Sequence, residues 1–185
     1  MNGVVFVAGV YGVGKNTLCE RISRLIHMPF YSAGDLISEQ VGEIYGENKK
    51  VRNKDQNQNV LIECISQKII KEQLIMLAGH FCILGNDNKP EELPSYVYKN
   101  MKIGAIVLLE TDSCTIIKHL QKRDGKKYTR ELIEEFIELE RRCAAKTSEA
   151  LGVPLKVYSM SFSDVDAENI IEFMKEVCDE DFIRY

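Results

Sequence analysis

The sequence predicts a three-layer α/β fold, with a central parallel sheet of five strands covered by helices on both faces. Short β-branched or aliphatic runs alternate along the chain with longer amphipathic ones, the rhythm of strand, crossover helix and strand. The run Ala105-Ile106-Val107-Leu108-Leu109 is apolar without alternation, which suits a strand covered on both faces near the middle of that sheet. The composition agrees. A chain of 185 residues, 45% hydrophobic and 28% charged, with 12 Gly and 4 Pro, can bury a full core without disulfide or metal staples.

Taken in order, strands are expected at 4–8, 30–32, within 74–84, at 103–109 and at 155–158. Helices are expected at 15–26, 35–45, 56–71, 114–122, 130–151 and 167–177. The first strand, Val4-Val5-Phe6-Val7-Ala8, runs straight into glycines, and the first helix begins where they end. Asp112, Thr129 and Asp164 each precede a periodic stretch and offer a side-chain oxygen to the free N–H groups of a helix start. No repeat, low-complexity tract or linker divides the chain, so residues 1–185 read as a single domain. Two polar segments interrupt the rhythm: residues 48–59, with Lys49, Lys50, Arg52 and Lys54, and residues 123–130, Arg-Asp-Gly-Lys-Lys-Tyr-Thr-Arg. A solvated face is the ordinary fate of such charge runs.

Lys plus Arg total 24 against 28 Asp plus Glu, a formal net charge of −4, without the basic signature of a nucleic-acid-coating protein. Cys19, Cys64, Cys82, Cys114, Cys143 and Cys178 form no Cys-x-x-Cys pair and no finger spacing with His, so they read as free thiols of a reducing compartment. The apolar start lacks a basic leader, and no apolar stretch reaches the roughly 20 residues that span a bilayer. The expectation is a soluble, cytoplasmic protein without membrane or nucleic-acid partners; the oligomeric state is left open.

Function enters at Gly9-Val10-Tyr11-Gly12-Val13-Gly14-Lys15-Asn16-Thr17, which follows a strand and opens a helix as a G-x-x-x-x-G-K-[ST] phosphate loop must. Gly9, Gly12 and Gly14 let backbone N–H groups, including that of Val13, converge on phosphate oxygens; the helix adds its positive end, and Lys15 reaches the outer phosphates. Asn16 stands where Ser or Thr is usual, and a hydroxyl appears one place later at Thr17. Either Asn16 fills space while Thr17 serves the phosphates and Mg2+, or metal binding is weakened.

The order Gly-Lys-x-Thr resembles the loop of the nucleoside monophosphate kinases, and the resemblance runs from Val4 to about Tyr158 as a string of short matches. Tyr31-Ser32-Ala33-Gly34-Asp35-Leu36-Ile37 is similar to the Ser-Thr-Gly-Asp-Leu stretch of adenylate kinases, and places Asp35 either at the acceptor, at a helix N-cap, or both. Leu77-Ala78-Gly79-His80-Phe81 stands where archaeal-type adenylate kinases carry Asp-Thr-His. His80 matches and is left as either an acceptor contact or a packed or surface residue, whereas Ala78 replaces the acid that organises magnesium. Lys122-Arg123-Asp124 and Glu140-Arg141-Arg142-Cys143-Ala144-Ala145 are similar to that family's lid-opening Arg-Asp pair and to its later Arg before alanines. By that match Arg123 and Arg142 inherit the catalytic roles, for which guanidinium forks on transferring phosphoryl oxygens are suited. Arg52 is left as either an acceptor-phosphate contact or a solvated residue, and Arg142 as either a clamp or an exposed helix residue.

The resemblance implies a three-layer P-loop NTPase fold with an acceptor-binding segment at about residues 34–72 and a short lid at about residues 123–130. It implies an ATP- and Mg2+-dependent kinase that moves the γ-phosphoryl group to a nucleoside monophosphate or related small acceptor. Lys15, Arg123 and Arg142 would be catalytic; Gly9, Gly12, Val13, Gly14, Lys15, Asn16 and Thr17 would hold nucleotide; Asp35, Arg52 and His80 the acceptor; Thr17 the metal. The alternatives are a nucleotide-binding module or weak ATPase, which Ala78 and Asn16 favour, and a kinase of a non-nucleotide metabolite such as shikimate or gluconate.

Overall fold

A computed structural model of the chain describes residues 3–41, 54–85 and 89–178. Strands β1 (Gly3–Ala8), β2 (Phe30–Ser32), β3 (Leu74–Ala78), β6 (Ile103–Glu110) and β7 (Leu155–Ser159) form one parallel sheet in the order β2-β3-β1-β6-β7. The expected five-stranded parallel sheet is therefore present. The register runs Val5 opposite Met76 on one side and Val5 opposite Ala105 on the other, which makes β1 the central strand. β6, the unalternating apolar run, lies beside it and is flanked in turn by β7.

Position explains composition. Every residue of β1 and of β3 is buried, because both faces of these strands are covered, and only β-branched, aliphatic or aromatic side chains can be spent there. Burying each Val, Leu, Ile or Phe contributes about 1.5–3 kcal/mol. The edge strand β7 is instead mixed, with Lys156 and Val157 exposed.

The helices are α1 (Lys15–Ile26), α2 (Ala33–Val41), α3 (Lys54–Glu72), α4 (Ser95–Asn100), α5 (Ser113–Asp124), α6 (Arg130–Leu151) and α7 (Val165–Val177). α1 buries Leu18, Cys19, Ile22 and Ile26, the stripe that a 3.6-residue period lays on one face. Asp112 and Thr129 cap α5 and α6 as expected, accepting from Thr115 N at 2.9 Å and Leu132 N at 3.3 Å. Asp164 makes no cap hydrogen bond; it pairs with Arg21 instead. An antiparallel hairpin, β4 (Cys82–Leu84) with β5 (Pro90–Glu92), and α4 follow β3 and lie outside the simple strand–helix rhythm. Among the described residues no helix is long and apolar enough to cross a membrane.

Candidate active site

Open α/β sheets bind ligands beyond the carboxyl ends of their strands, and the phosphate loop leaves the carboxyl end of the central strand. Gly9 has φ 146°, and a Cβ there would stand 2.6 Å from the Leu109 carbonyl oxygen and 2.9 Å from Val13 Cγ1. Gly12 has φ 82°, with Leu120 Cγ 3.1 Å from where its Cβ would be. Both conformation and space restrict these positions to glycine. Gly14 is the N-cap of α1 and supplies no side-chain cap, so the helix start is left to bind an anion.

Lys15 is buried, and its Nζ donates to the Gly9 carbonyl at 2.7 Å and the Val10 carbonyl at 3.0 Å, while standing 3.5 Å from His80 Nδ1. The ammonium is thus folded onto its own loop. Anionic phosphate oxygens would compete well for it, since charge-assisted bonds are about twice as strong as those to neutral carbonyls. Val13 is buried beneath the loop, and Asn16 and Thr17 are exposed on its rim.

A cleft of about 840 Å³ opens here, bounded by the loop, Asp35, Ala78, His80 and Arg123. Eight of the expected site positions, Gly12, Gly14, Lys15, Asn16, Thr17, Asp35, His80 and Arg123, share its walls. α2 begins at Ala33, so Asp35 lies inside its first turn, and Ser32 Oγ takes the Asp35 N–H at 3.4 Å. Ser32 thus offers the oxygen at this helix start, and Asp35 lines the cleft. His80 is held by its backbone, since Tyr98 OH donates to its carbonyl at 2.9 Å, and its ring meets Tyr11 edge-on at 4.4 Å. Arg123 ends α5 and donates to Asp124 at 3.1 Å. Burial pushes the Asp124 carboxyl up, but hydrogen bonds from Arg123, the Lys126 N–H and Tyr128 outweigh it and hold the group below its usual range.

Arg142 is not brought to this cleft. It lies on the exposed side of α6, 3.9 Å from Glu92 on β5. The reason is helical phase: Glu140, Cys143 and Ala144 face inward, and two residues on from Glu140 the helix has turned about 200°. Its neighbour Arg141 is occupied by Glu110 through two bonds of 2.7 Å. Arg52 lies outside the described residues.

Three features escape the sequence patterns. Gln58 of α3 is buried and lines the same cleft as the loop. The same cleft has apolar lining from Phe6, Ile37, Leu61, Ile83, Val97 and Met101. Beside the loop, His119 Nδ1 donates to the Gly12 carbonyl at 2.8 Å and its ring stands perpendicular to that of Phe162 at 5.0 Å. Buried Asp166 fixes this corner, accepting from Phe162 N at 2.7 Å, Ser161 N at 3.1 Å and Tyr158 OH at 2.9 Å. Finally, Glu140 is buried under the loop, where burial raises its carboxyl to about 7 against the opposing pull of backbone N–H groups and Lys15. The Ser-x-Ser-x-x-Asp run from Ser161 to Asp166 was a readable turn signal; Glu140 carried none.

Among the described residues no cluster of three or more His, Cys, Asp or Glu could cage a metal. The donor set fits an ion carried in by phosphates and water, with Thr17 offering one hydroxyl.

A protein-family profile described as AAA domain (AAA_17) matches residues 8–137 of the chain. The chain belongs to this AAA-domain family. The AAA domain is similar to adenylate kinase 1 of Schistosoma mansoni, 29% identical over 90 residues that make up 49% of this chain and 46% of that protein. It thus spans about half the length of that curated relative. Its fold is shared with a shikimate kinase from Acinetobacter baumannii solved with shikimate, at TM-score 0.61 and 12% identity, covering 95% of this chain and 94% of that one. It is shared as well with a gluconokinase from Sinorhizobium meliloti 1021, at TM-score 0.58 and 12% identity, covering 98% and 96%. The AAA domain therefore has the fold of the P-loop kinases.

Proposed function

We propose that this AAA domain is an ATP-dependent small-molecule kinase that moves the γ-phosphoryl group of ATP to a nucleoside monophosphate or related acceptor. One observation carries the reading: the phosphate loop with Lys15 and the side chains of Asp35, Gln58 and His80 line a single cleft, His80 standing next to the Lys15 ammonium. A hydrolase would need only the first half. Loop N–H groups and the start of α1 hold the β- and γ-phosphates, and Lys15 leaves the Gly9 and Val10 carbonyls to follow them. Mg2+, bound through the phosphates and Thr17, would offset charge on the transferred group. Arg123 steadies the three equatorial oxygens as the bond to the β–γ bridging oxygen breaks and the bond to the acceptor oxygen forms. A monophosphate acceptor attacks as an anion; a hydroxyl acceptor would pass its proton to Asp35. Phe162 and His119 supply an apolar, edge-on platform beside the loop for the nucleoside of ATP.

Purified protein with Mg-ATP and a panel of nucleoside monophosphates, shikimate and gluconate should give acceptor-dependent ADP with at least one of them. If no acceptor raises the rate above a Lys15→Ala control, the kinase reading fails.

A second reading, a nucleotide-binding module with slow hydrolysis, is favoured by Ala78, which is buried at the end of β3 where the family resemblance expects an acid. Ala78→Asp separates the two: a gain in magnesium-dependent transfer marks a kinase working without its acid, whereas a gain in acceptor-independent hydrolysis alone marks the module.

A further inference from the structure

Glu140 projects from α6 into the core with 1% of its surface exposed, where a carboxylate needs a compensating structure. It has one built from backbone. Oε1 accepts from Gly9 N at 3.1 Å and Phe81 N at 2.9 Å, and Oε2 accepts from Phe81 N at 3.0 Å and Cys82 N at 2.8 Å. Gly9 opens the phosphate loop; Phe81 and Cys82 follow His80 in the turn that leaves β3. A single carboxylate thus ties the nucleotide half of the cleft to the acceptor half.

We propose that Glu140 is a positioning residue of the phosphate-binding site, holding the first amide of the loop and the His80 turn in one fixed register so that ATP and acceptor meet correctly. The inference rests on the reading of the loop as an ATP site. Glu140 touches no substrate; it acts through Gly9, through the Gly9 carbonyl that holds Lys15, and through the backbone beside His80. The ionised form accepts at both oxygens. A proton on either one turns an acceptor into a donor aimed at an N–H, so one strap is lost. Burial favours that proton while the N–H groups and Lys15 oppose it, which brings the titration near neutrality, at about 7. The other titratable groups facing it are Tyr11 in the loop, His80 and Cys82 beyond β3, Tyr98 on α4 and Cys143 on α6 itself. Glu92 of β5 is turned outward to Arg142 and Lys146.

The test is equilibrium binding of a fluorescent ATP analogue with Mg2+ to the wild type, Glu140→Gln and His80→Asn between about pH 6 and 8.5, with hydrogen exchange at single amides. At the alkaline end Glu140→Gln should bind about tenfold more weakly, the loss of one charge-assisted bond, at unchanged stoichiometry. Wild-type affinity should fall toward that of the glutamine variant as the pH drops through neutrality, and His80→Asn should keep this step. Affinity of Glu140→Gln within about twofold of wild type, or lost binding that only tracks an unfolded fraction, overturns the proposal. Should the variant fail to fold, exchange in the unaltered protein decides: Gly9, Phe81 and Cys82 amides should open together and gain protection together with Mg-ATP, and independent opening overturns it. Absence of ATP binding by the wild type would count against the kinase reading instead, and the joint opening of the three amides would then test the clasp by itself.

Discussion

Gln58 places a polar carboxamide in the wall of the cleft, within reach of a bound acceptor. A carboxamide there offers two N–H donors and an acceptor oxygen to a molecule bound in the cleft. Apolar walls at Ile37, Leu61 and Val97 would accept a leucine of similar size in its place. The free protein should therefore tolerate Gln58→Leu, with an unchanged or slightly raised Tm. The acceptor should not: a site that pairs donor and acceptor atoms loses about tenfold or more in affinity when one partner is removed. The expected result is a raised acceptor KM at saturating ATP with ATP affinity unaltered. An acceptor KM within about twofold of wild type would remove Gln58 from the site.

The segment between β7 and α7 is organised by an acid rather than by a helix cap. Asp166 receives the N–H groups of Ser161 and Phe162 and the hydroxyls of Ser161 and Tyr158. Burial pushes its carboxyl up, but these bonds outweigh burial and keep it ionised below the usual range. Phe162 is held at φ 60°, a conformation that costs a bulky residue energy, so it persists only while its surroundings impose it. Asp166→Ala should release Phe162 and weaken ATP about tenfold while leaving inorganic tripolyphosphate, which lacks a base, nearly unaffected; calorimetric titration with both ligands reads this directly. Equal weakening of both would mean the segment serves the loop and not the base. The same scale explains what was legible in advance. β1, the loop and the start of α1 were readable because strand, glycines, Lys15 and helix are contiguous and each residue's constraint is local. Thr129 and Gly152 bound α6 by local chemistry as well. Glu140 was not readable, because an acid between Glu138 and Arg141 looks like any solvated helix position. Its burial depends on N–H groups that reach it from 59 and 131 residues away. The inward turn of Glu140 also decides that Arg142 faces Glu92, so one missed long-range contact moved a second residue out of the cleft.

At the scale of the whole molecule, the buried and half-buried acids with displaced carboxyls divide into two groups with opposite pH linkage. Asp124 and Asp166 are held below their usual range, so the stability they contribute is complete above an unfolded aspartate's 3.8 and is lost as the pH falls through their lower folded values. Glu140 works the other way. Its carboxyl is raised from 4.5 to about 7, so between those values the folded protein keeps a proton that the unfolded chain has released. Stability then falls as the pH rises across that window, by at most about 1.4 kcal/mol per pH unit for one proton, and levels off above it. For these three groups the two trends meet between 3.8 and 4.5, so their combined contribution to stability is greatest on the acid side of neutrality, at about pH 4. Urea unfolding at constant ionic strength should therefore show a higher midpoint at about pH 5 than at about pH 7.5. In Glu140→Gln, which cannot titrate, that decline should flatten while the loss of stability below about pH 4 remains, because Asp124 and Asp166 are untouched. A wild-type midpoint that rises steadily from pH 5 to 7.5, or an equal decline in the glutamine variant, would show that the carboxylate under the phosphate loop is ionised throughout and that its three N–H partners outweigh its burial.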